Sequence, residues 1–204
     1  MTAPGSEKLV KAGFVVLDAT TGVILKIIVF QYNPEMLVRR LDAAVSAAQL
    51  PATHVPGVTV TPGTAAVGPM PEPRETVNFT LALDAADKLE TSDAVTQQDG
   101  LLPAIAALEL LLYPQANTFT VWVSGSKRIL PVRITEMQVV EQMFDPALNP
   151  IRAEVSVSLQ VLKDADLAST SRGRVIWDTH YALLQQLSQA FGSGALSALG
   201  LTGV

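Results

Sequence analysis

Charged residues are unusually scarce in this chain. Of its 204 residues, 16% are charged and 49% are hydrophobic, and the net charge is −5 at pH 7, whereas soluble domains average about 25% charged residues. The acidic balance and scattered basic residues argue against nucleic acid as a partner. The lack of cysteine excludes disulfides and thiolate sites, and no apolar run approaches the roughly 20 residues of a membrane-spanning helix. Residues 1–11 also lack a signal-peptide layout, so we expect neither membrane insertion nor export, and we expect the apolar surplus to be buried against other protein subunits.

The first part of the chain is rich in β-forming residues. Residues 13–18 and 23–30 flank a turn that ends in Gly22, which predicts a β-hairpin. The second run is apolar on both faces, so we expect a central strand that is covered on both sides. Residues 32–34 interrupt the pattern, because the proline fixes its own φ and favours an extended residue before it. Residues 36–41 fit either a strand or a short helix.

A long uncharged stretch follows. Residues 43–71 contain no Asp, Glu, Lys or Arg, and six of the thirteen prolines lie within residues 51–73. A loop of this length in a compact domain is usually either functional or disordered, and disordered linkers are normally more polar. Two interpretations of the loop at 43–73 stay open: a floppy loop, or an extended arm that orders on a neighbouring subunit, with Val58 and Val60 as candidate interface residues.

A strand and a helix are predicted in the middle of the chain. Residues 74–84 alternate between apolar and polar side chains, which predicts a half-buried antiparallel strand. After a polar connection, residues 98–113 predict the main helix of the domain. Asp99 would cap this helix, and Pro103 would lie in its first turn. An apolar stripe at helical spacing is expected to pack on the sheet: Leu101, Ile105, Leu108 and Leu112.

Strands dominate the next fifty residues. Residues 119–123 predict a short strand, and residues 129–144 predict a long one whose alternation slips near 136–137, as at a bulge or a change of sheet. After a proline-containing turn at 145–150, residues 151–162 give the clearest alternation in the sequence. The last two strands form a hairpin of about 35–40 Å at 3.3 Å per residue, a length that suits barrels built from several chains.

The end of the chain differs in character. A polar connection leads into residues 175–191, which predict an amphipathic helix, and residues 192–204 form a tail of small residues. Alone in water such a helix would be marginal, so we expect it to dock on its own domain or on a partner. Its candidate contact residues are Trp177, Tyr181 and Leu184.

The sequence offers no catalytic constellation. Its two histidines, His54 and His180, cannot form a metal motif at helical spacing, and we expect His180 to be a partly exposed helix residue. Ser124 and Lys127 have the Ser-x-x-Lys spacing of some hydrolases but lie in a turn rather than at a helix start. Trp122 is expected to anchor a core or an interface. We therefore predict no enzymatic activity, no cofactor and no metal.

Several short motifs occur in the order found in a known family. The segment Phe30-Gln31-Tyr32-Asn33-Pro34-Glu35 resembles the aromatic-x-aromatic-Asn-Pro-Glu step of the tube-domain family of contractile injection systems. The order continues with a strand ending in Asp84, a helix, the segment Phe119-Thr120-Val121-Trp122, and a turn leading through Pro150-Ile151-Arg152-Ala153 into the last strand. The resemblance covers residues 10–162, and residues 163–204 form a C-terminal linker, helix and tail.

The resemblance implies a mainly β (α+β) fold, a tail-tube-like β-sandwich or barrel of two packed antiparallel sheets with one helix, here followed by the C-terminal helix. Six copies would form a ring around a lumen, assembled in the bacterial cytoplasm into a phage-tail-like particle. The expected partners are the spike protein, the inner tube and other baseplate proteins. The candidate lumen-facing residues, which could equally form an ordinary solvent face, are Arg152, Glu154, Ser156, Ser158 and Gln160. The interface candidates in the motif are Tyr32, Asn33 and Pro34.

The chain departs from the family after residue 162. Many family members carry a LysM-like module there, and the remaining residues are too few for one. We therefore predict a tube-initiating or inner-baseplate subunit that joins the spike to the inner tube. The alternatives are a bulk inner-tube protein, which is commonly shorter, and a monomeric β-sandwich binding module with an apolar ligand pocket.

Overall fold

The computed structural model describes residues 9–43, 72–113 and 115–191. These residues confirm the predicted mainly β (α+β) class, because they form one antiparallel sheet of seven strands with four helices. The strands are β1 Gly13–Asp18, β2 Ile24–Val29, β3 Leu37–Asp42, β4 Arg74–Asp84, β5 Thr118–Val123, β6 Ile129–Phe144 and β7 Pro150–Val161. The helices are α1 Ala86–Glu90, α2 Ala94–Asp99, α3 Leu102–Glu109 and α4 Arg172–Ala190. The predicted arm with Val58 and Val60, and the tail at 192–204, lie outside the described residues.

The sheet curls around its core. Its strand order is β2-β1-β5-β6-β7-β4-β3, so β1 and β4 are four steps apart, or about 19 Å in a flat sheet. The rings of Phe14 on β1 and Phe79 on β4 nevertheless lie 6.4 Å apart, and Phe79 stacks on Trp122 of β5 at 5.6 Å. One curled sheet, whose two halves face each other across an aromatic core, thus takes the place of the two separate sheets that the resemblance implies.

The strands β4 and β7 build the centre of that core as the alternation predicted. Their antiparallel register places Phe79 opposite Val157 and Leu81 opposite Val155. Every second side chain is therefore buried on the same face of both strands: Val77, Phe79, Leu81, Leu83, Ala153, Val155, Val157, Leu159 and Val161. The prediction for both strands is confirmed.

The long hairpin of β6 and β7 is also present. The register of β6 shifts between Ile134 and Glu136, next to the predicted slip. Because of this bulge, Met137 lies opposite the buried Val157, so apolar side chains of β6 continue to face the core after the shift. The connecting turn is held by Asp145, whose carboxylate accepts hydrogen bonds from the backbone N–H groups of Ala147 and Asn149 at 2.8 Å.

The prediction for β2 is wrong, because β2 is an edge strand rather than a central one. It pairs with β1 alone among the described strands, and four of its six side chains are 54–60% exposed: Ile24, Leu25, Ile27 and Val29. Residues 36–41, for which strand and helix both stayed open, lie mostly in β3 (Leu37–Asp42), the strand at the other edge of the sheet. The continuous apolar run thus marks a surface that this chain leaves open instead of a strand inside its core.

The predicted helix at 98–113 is broken in two. Asp99 ends α2 instead of capping α3, and Leu101 occupies the N-cap of α3 without a side-chain hydrogen bond. Gly100 lies between them at φ +56°, and a Cβ atom there would lie 2.6 Å from the carbonyl oxygen of Pro150. The β6–β7 hairpin therefore passes where a continuous helix would have to run. Pro103 lies in the first turn of α3 as predicted.

The apolar stripe of this segment packs on the sheet as predicted along α3 itself. Leu101, Ile105 and Leu108 are buried in the core cluster. Leu112 lies beyond the end of α3 and is exposed, because the shorter helix does not carry the stripe that far.

Candidate assembly site

Gln31 closes the curled sheet. The residue before it, Phe30, is buried against the rings of Phe14 and Phe79, which brings the end of β2 close to the end of β4. The side-chain amide of Gln31 then donates to the carbonyl oxygen of Asp84 at 2.7 Å and accepts from the Asp84 N–H at 3.0 Å. The two bonds imitate a β-ladder pair between two distant positions in the strand order.

Asn33 performs a similar role at the start of β1. Its Oδ1 accepts from the N–H of Ala12 at 2.8 Å, and its Nδ2 donates to the carbonyl oxygen of Val10 at 2.9 Å. Tyr32, between the two amides, is exposed, and Pro34 is half-buried. The motif therefore has a structural function within the chain, and an interface function for Tyr32, Asn33 and Pro34 stays a prediction.

The two edge strands present apolar side chains to solvent. Besides the apolar surface of β2, the segment around β3 exposes Met36, Val38 and Leu41. Neither strand has a second neighbour among the described residues. Unpaired edges offer free backbone N–H and C=O groups to another strand, so both ends of the sheet can extend onto a further chain.

The five candidate lumen residues share one face of β7, which we call the polar face: Arg152, Glu154, Ser156, Ser158 and Gln160. They alternate with the buried side chains of β7 and point away from the core. The hydroxyl groups of Thr80 and Ser156 lie 3.1 Å apart across the strands, and Arg152 pairs with Asp84 at 2.8 Å. The Ala86 N–H and the Arg152 guanidinium lower the pKa of Asp84. The face is hydrophilic and ordered by cross-strand bonds, and whether it lines a lumen or faces bulk solvent stays a prediction.

A buried polar cluster lies under α4. Glu75 is 2% exposed and forms an ion pair with Arg39 of β3 at 2.7 Å. Lys163 donates to the carbonyl oxygen of Pro73 at 2.6 Å, and its ammonium lies 5.0 Å from the centre of the Trp177 ring. Sequence reasoning missed this cluster, although Glu75 has the same odd-numbered register as the buried residues of β4.

The expectation that His180 is partly exposed is wrong. Trp177 and His180, three positions apart, lie on the helix face that packs on the chain's own sheet, and His180 is 7% exposed. Its Nε2 has no hydrogen-bond partner among the described residues. Burial lowers the pKa of His180, and the carboxylate of Glu75 opposes that effect. Trp177 is buried in the chain's own core. Of the two docking surfaces predicted for this helix, its own domain or a partner, Trp177 therefore contacts its own domain.

The far end of α4 has no such contacts. We call residues 181–191 the distal half of α4; it contains no buried side chain. Its exposed apolar residues are Tyr181, Leu184, Leu187 and Phe191, the last 92% exposed. The last charged residue of the sequence is Asp178, so this apolar stripe carries no charge.

In the described ranges, no group of three His, Asp or Glu side chains stands close enough to hold a metal ion. Within the same ranges, no helix has the length and apolar content to cross a membrane. Comparison of the chain with family models and with curated proteins found no match to either.

Proposed function

We propose that this chain is a structural subunit of a contractile injection system, which forms a hexameric ring in the inner baseplate or tube-initiation region and joins the spike to the inner tube. The observation that carries the proposal is the exposed apolar edge strand β2, at the opposite end of the sheet from the open edge of β3. The motif order over residues 10–162 supports it independently.

Two open edges at opposite ends of one sheet suit a closed ring. Both β2 and β3 are six residues long, so β3 of one copy can pair along its whole length with β2 of the next. Such a contact joins two different surfaces and closes into a ring when the rotation permits. The four apolar side chains of β2 are about half exposed, and each would gain roughly 1 kcal/mol from burial in this contact. Pairing would also satisfy the edges that otherwise invite uncontrolled association.

A continuous sheet around the ring would give the polar face a function. The side chains of Arg152, Glu154, Ser156, Ser158 and Gln160 point away from the core along one strand. A wet channel requires such hydrophilic side chains. The register places Ile27 of β2 on the same face of the sheet as Gln160, so a contact must cover the apolar surface of β2 if this face lines the channel. We therefore assign the polar face to the lumen.

The C-terminal segment favours a baseplate or initiating ring over the bulk inner tube. Residues 163–191 add a complete helix to the sheet, and the distal half of α4 leaves apolar residues uncovered. A bulk tube repeats one contact between identical rings, whereas a ring at the spike must contact other proteins.

The proposal is tested by the assembly state of the full chain. We expect native mass spectrometry and negative-stain imaging to show rings of six copies. The variant Ile27→Asp places a charge on the apolar surface of β2 and should reduce the ring to monomers. Its matched control, Ser156→Asp, places the same charge on the polar face and should leave the ring intact. A wild-type chain that stays monomeric at every concentration and never enters a particle contradicts the proposal.

One cleft favours a second candidate function, the binding of an apolar ligand. A space of about 570 Å³ between α3 and the sheet is lined largely by apolar side chains, among them Phe30, Leu81, Leu101 and Leu108. This is the kind of pocket that a monomeric binding module with an apolar ligand would need. A monomeric wild-type chain would favour this function over the ring.

A further inference from the structure

The helix α4 has a buried half and an uncovered half. Its first part buries Gly173, Trp177 and His180 against the chain's own sheet. The distal half of α4, residues 181–191, has no buried side chain and contains no Asp, Glu, Lys or Arg. An isolated helix of this length gains little stability from its own hydrogen bonds, so the uncovered apolar side chains require a contact surface.

The direction of α4 shows where that surface lies. The helix starts beside the β1–β2 turn, where the N–H of Arg172 donates to the carbonyl oxygen of Ala19 at 3.3 Å. It packs along β6 and reaches His180, which is influenced by the charges of Arg39 on β3 and Glu75 on β4. The helix therefore runs away from the β1–β2 turn and towards the start of β4, where Lys163 lies against Trp177 and bonds to Pro73.

We propose that the distal half of α4 in one copy packs on the outward-facing apolar side chains of β2 in a second copy. This inference rests on the proposed ring, in which β2 of the neighbour lies beside β3. The helix would then cover the strand that the edge contact brings next to it, on the face of the sheet where Gly173 of α4 already lies against the Phe119 ring. Each junction of the ring would contain a strand pair and a helix above it.

The two surfaces match in chemistry and in length. The helix stripe carries no charge, and the one charged residue of β2, Lys26, is partly buried while its apolar neighbours are exposed. Ten helical residues span about 15 Å, and six strand residues span about 20 Å. The stripe from Tyr181 to Phe191 can therefore lie along about three quarters of the exposed strand.

Cysteine cross-linking tests the contact directly, because the sequence contains no cysteine. One chain carries Leu184→Cys on α4, and a second chain with a tag of different size carries Ile27→Cys on β2. The two are co-expressed and treated with a short bismaleimide. We expect a covalent dimer of the two differently tagged chains on a denaturing gel.

The matched control is Gln186→Cys co-expressed with Ile27→Cys. Gln186 is exposed on the same turn, but lies about 200° around the helix from Leu184, so it should give no dimer. The inference is overturned if the Leu184 variant gives no dimer, or if both positions cross-link equally. It is also overturned if one chain carrying both Leu184→Cys and Ile27→Cys links only to itself.

The mass of the untreated wild-type assembly separates the two proposals. Rings of six copies without the cross-link would refute the helix contact and leave the ring. A monomer would refute both.

Discussion

The amide side chains of Gln31, which is half-buried, and Asn33, which is exposed, should stabilise this fold more than surface side chains usually do. Each makes two hydrogen bonds to backbone groups at the ends of strands: Gln31 to the N–H and C=O of Asp84, and Asn33 to the N–H of Ala12 and the C=O of Val10. A hydrogen bond contributes about 0.5–1.5 kcal/mol net. We therefore expect Gln31→Ala and Asn33→Ala each to lower the free energy of unfolding by about 1–3 kcal/mol.

Tyr32 supplies the matched control, because it lies between the two amides. Its side chain is exposed, and among the described residues its hydroxyl accepts only one long hydrogen bond, from Gln31 at 3.5 Å. Substitution of such a surface residue usually changes stability by less than about 0.5 kcal/mol, so Tyr32→Ala should lie close to the wild type.

Urea unfolding followed by circular dichroism, at one fixed protein concentration, measures all three variants. The concentration must be fixed, because association stabilises the folded chain by mass action. We expect the midpoint to fall for Gln31→Ala and Asn33→Ala without a change in slope. If these two variants lose no more stability than Tyr32→Ala, the amides do not close the sheet and our account of the motif is wrong.

Further predictions concern pH and backbone geometry. Burial holds the pKa of His180 below its usual value of 6.5. As the pH falls through that value, the unfolded chain binds a proton that the folded chain does not, so stability should fall. The variant His180→Gln should remove this loss in a pH series of urea midpoints. Gly100→Ala should cost on the order of 1–3 kcal/mol, because φ is positive and the added Cβ meets a backbone carbonyl. Gly125→Ala, also at positive φ but in open space, should cost less in the same assay.

Strands with one buried face were the part of the fold that the sequence could predict. In β4 and β7 the side chains alternate strictly, and alternation alone states which residues are buried. The slip of that pattern near Glu136 likewise located the bulge of β6 to within two residues. In these strands the side chains that the local pattern marks as apolar are the ones buried in the fold. Their burial can therefore be predicted without knowing where the rest of the chain lies.

The failures occurred where burial depends on distant parts of the chain. The apolar run of β2 has the pattern of a central strand. A local pattern cannot show whether such a strand is buried in the chain's own core or is left open for another chain. The break at Gly100 depends on the passage of Pro150, fifty residues later. His180 is buried because α4 docks on the sheet, and helix periodicity does not specify the docking surface. The Arg39–Glu75 pair joins two strands that are 36 residues apart.

The scarcity of charge in the sequence is local. The ranges 43–71 and 179–204 together hold 55 residues without a single Asp, Glu, Lys or Arg, so the 33 charged residues all fall among the other 149, about 22% of them. That share is close to the roughly 25% of ordinary soluble domains. The rest of the chain therefore has nearly the charged fraction of an ordinary soluble domain. A contact between copies requires two apolar surfaces. The distal half of α4, which is uncharged, and the exposed strand β2 would supply them. In the proposed ring, the distal half of α4 and β2 would be the surfaces of low charge where subunits meet.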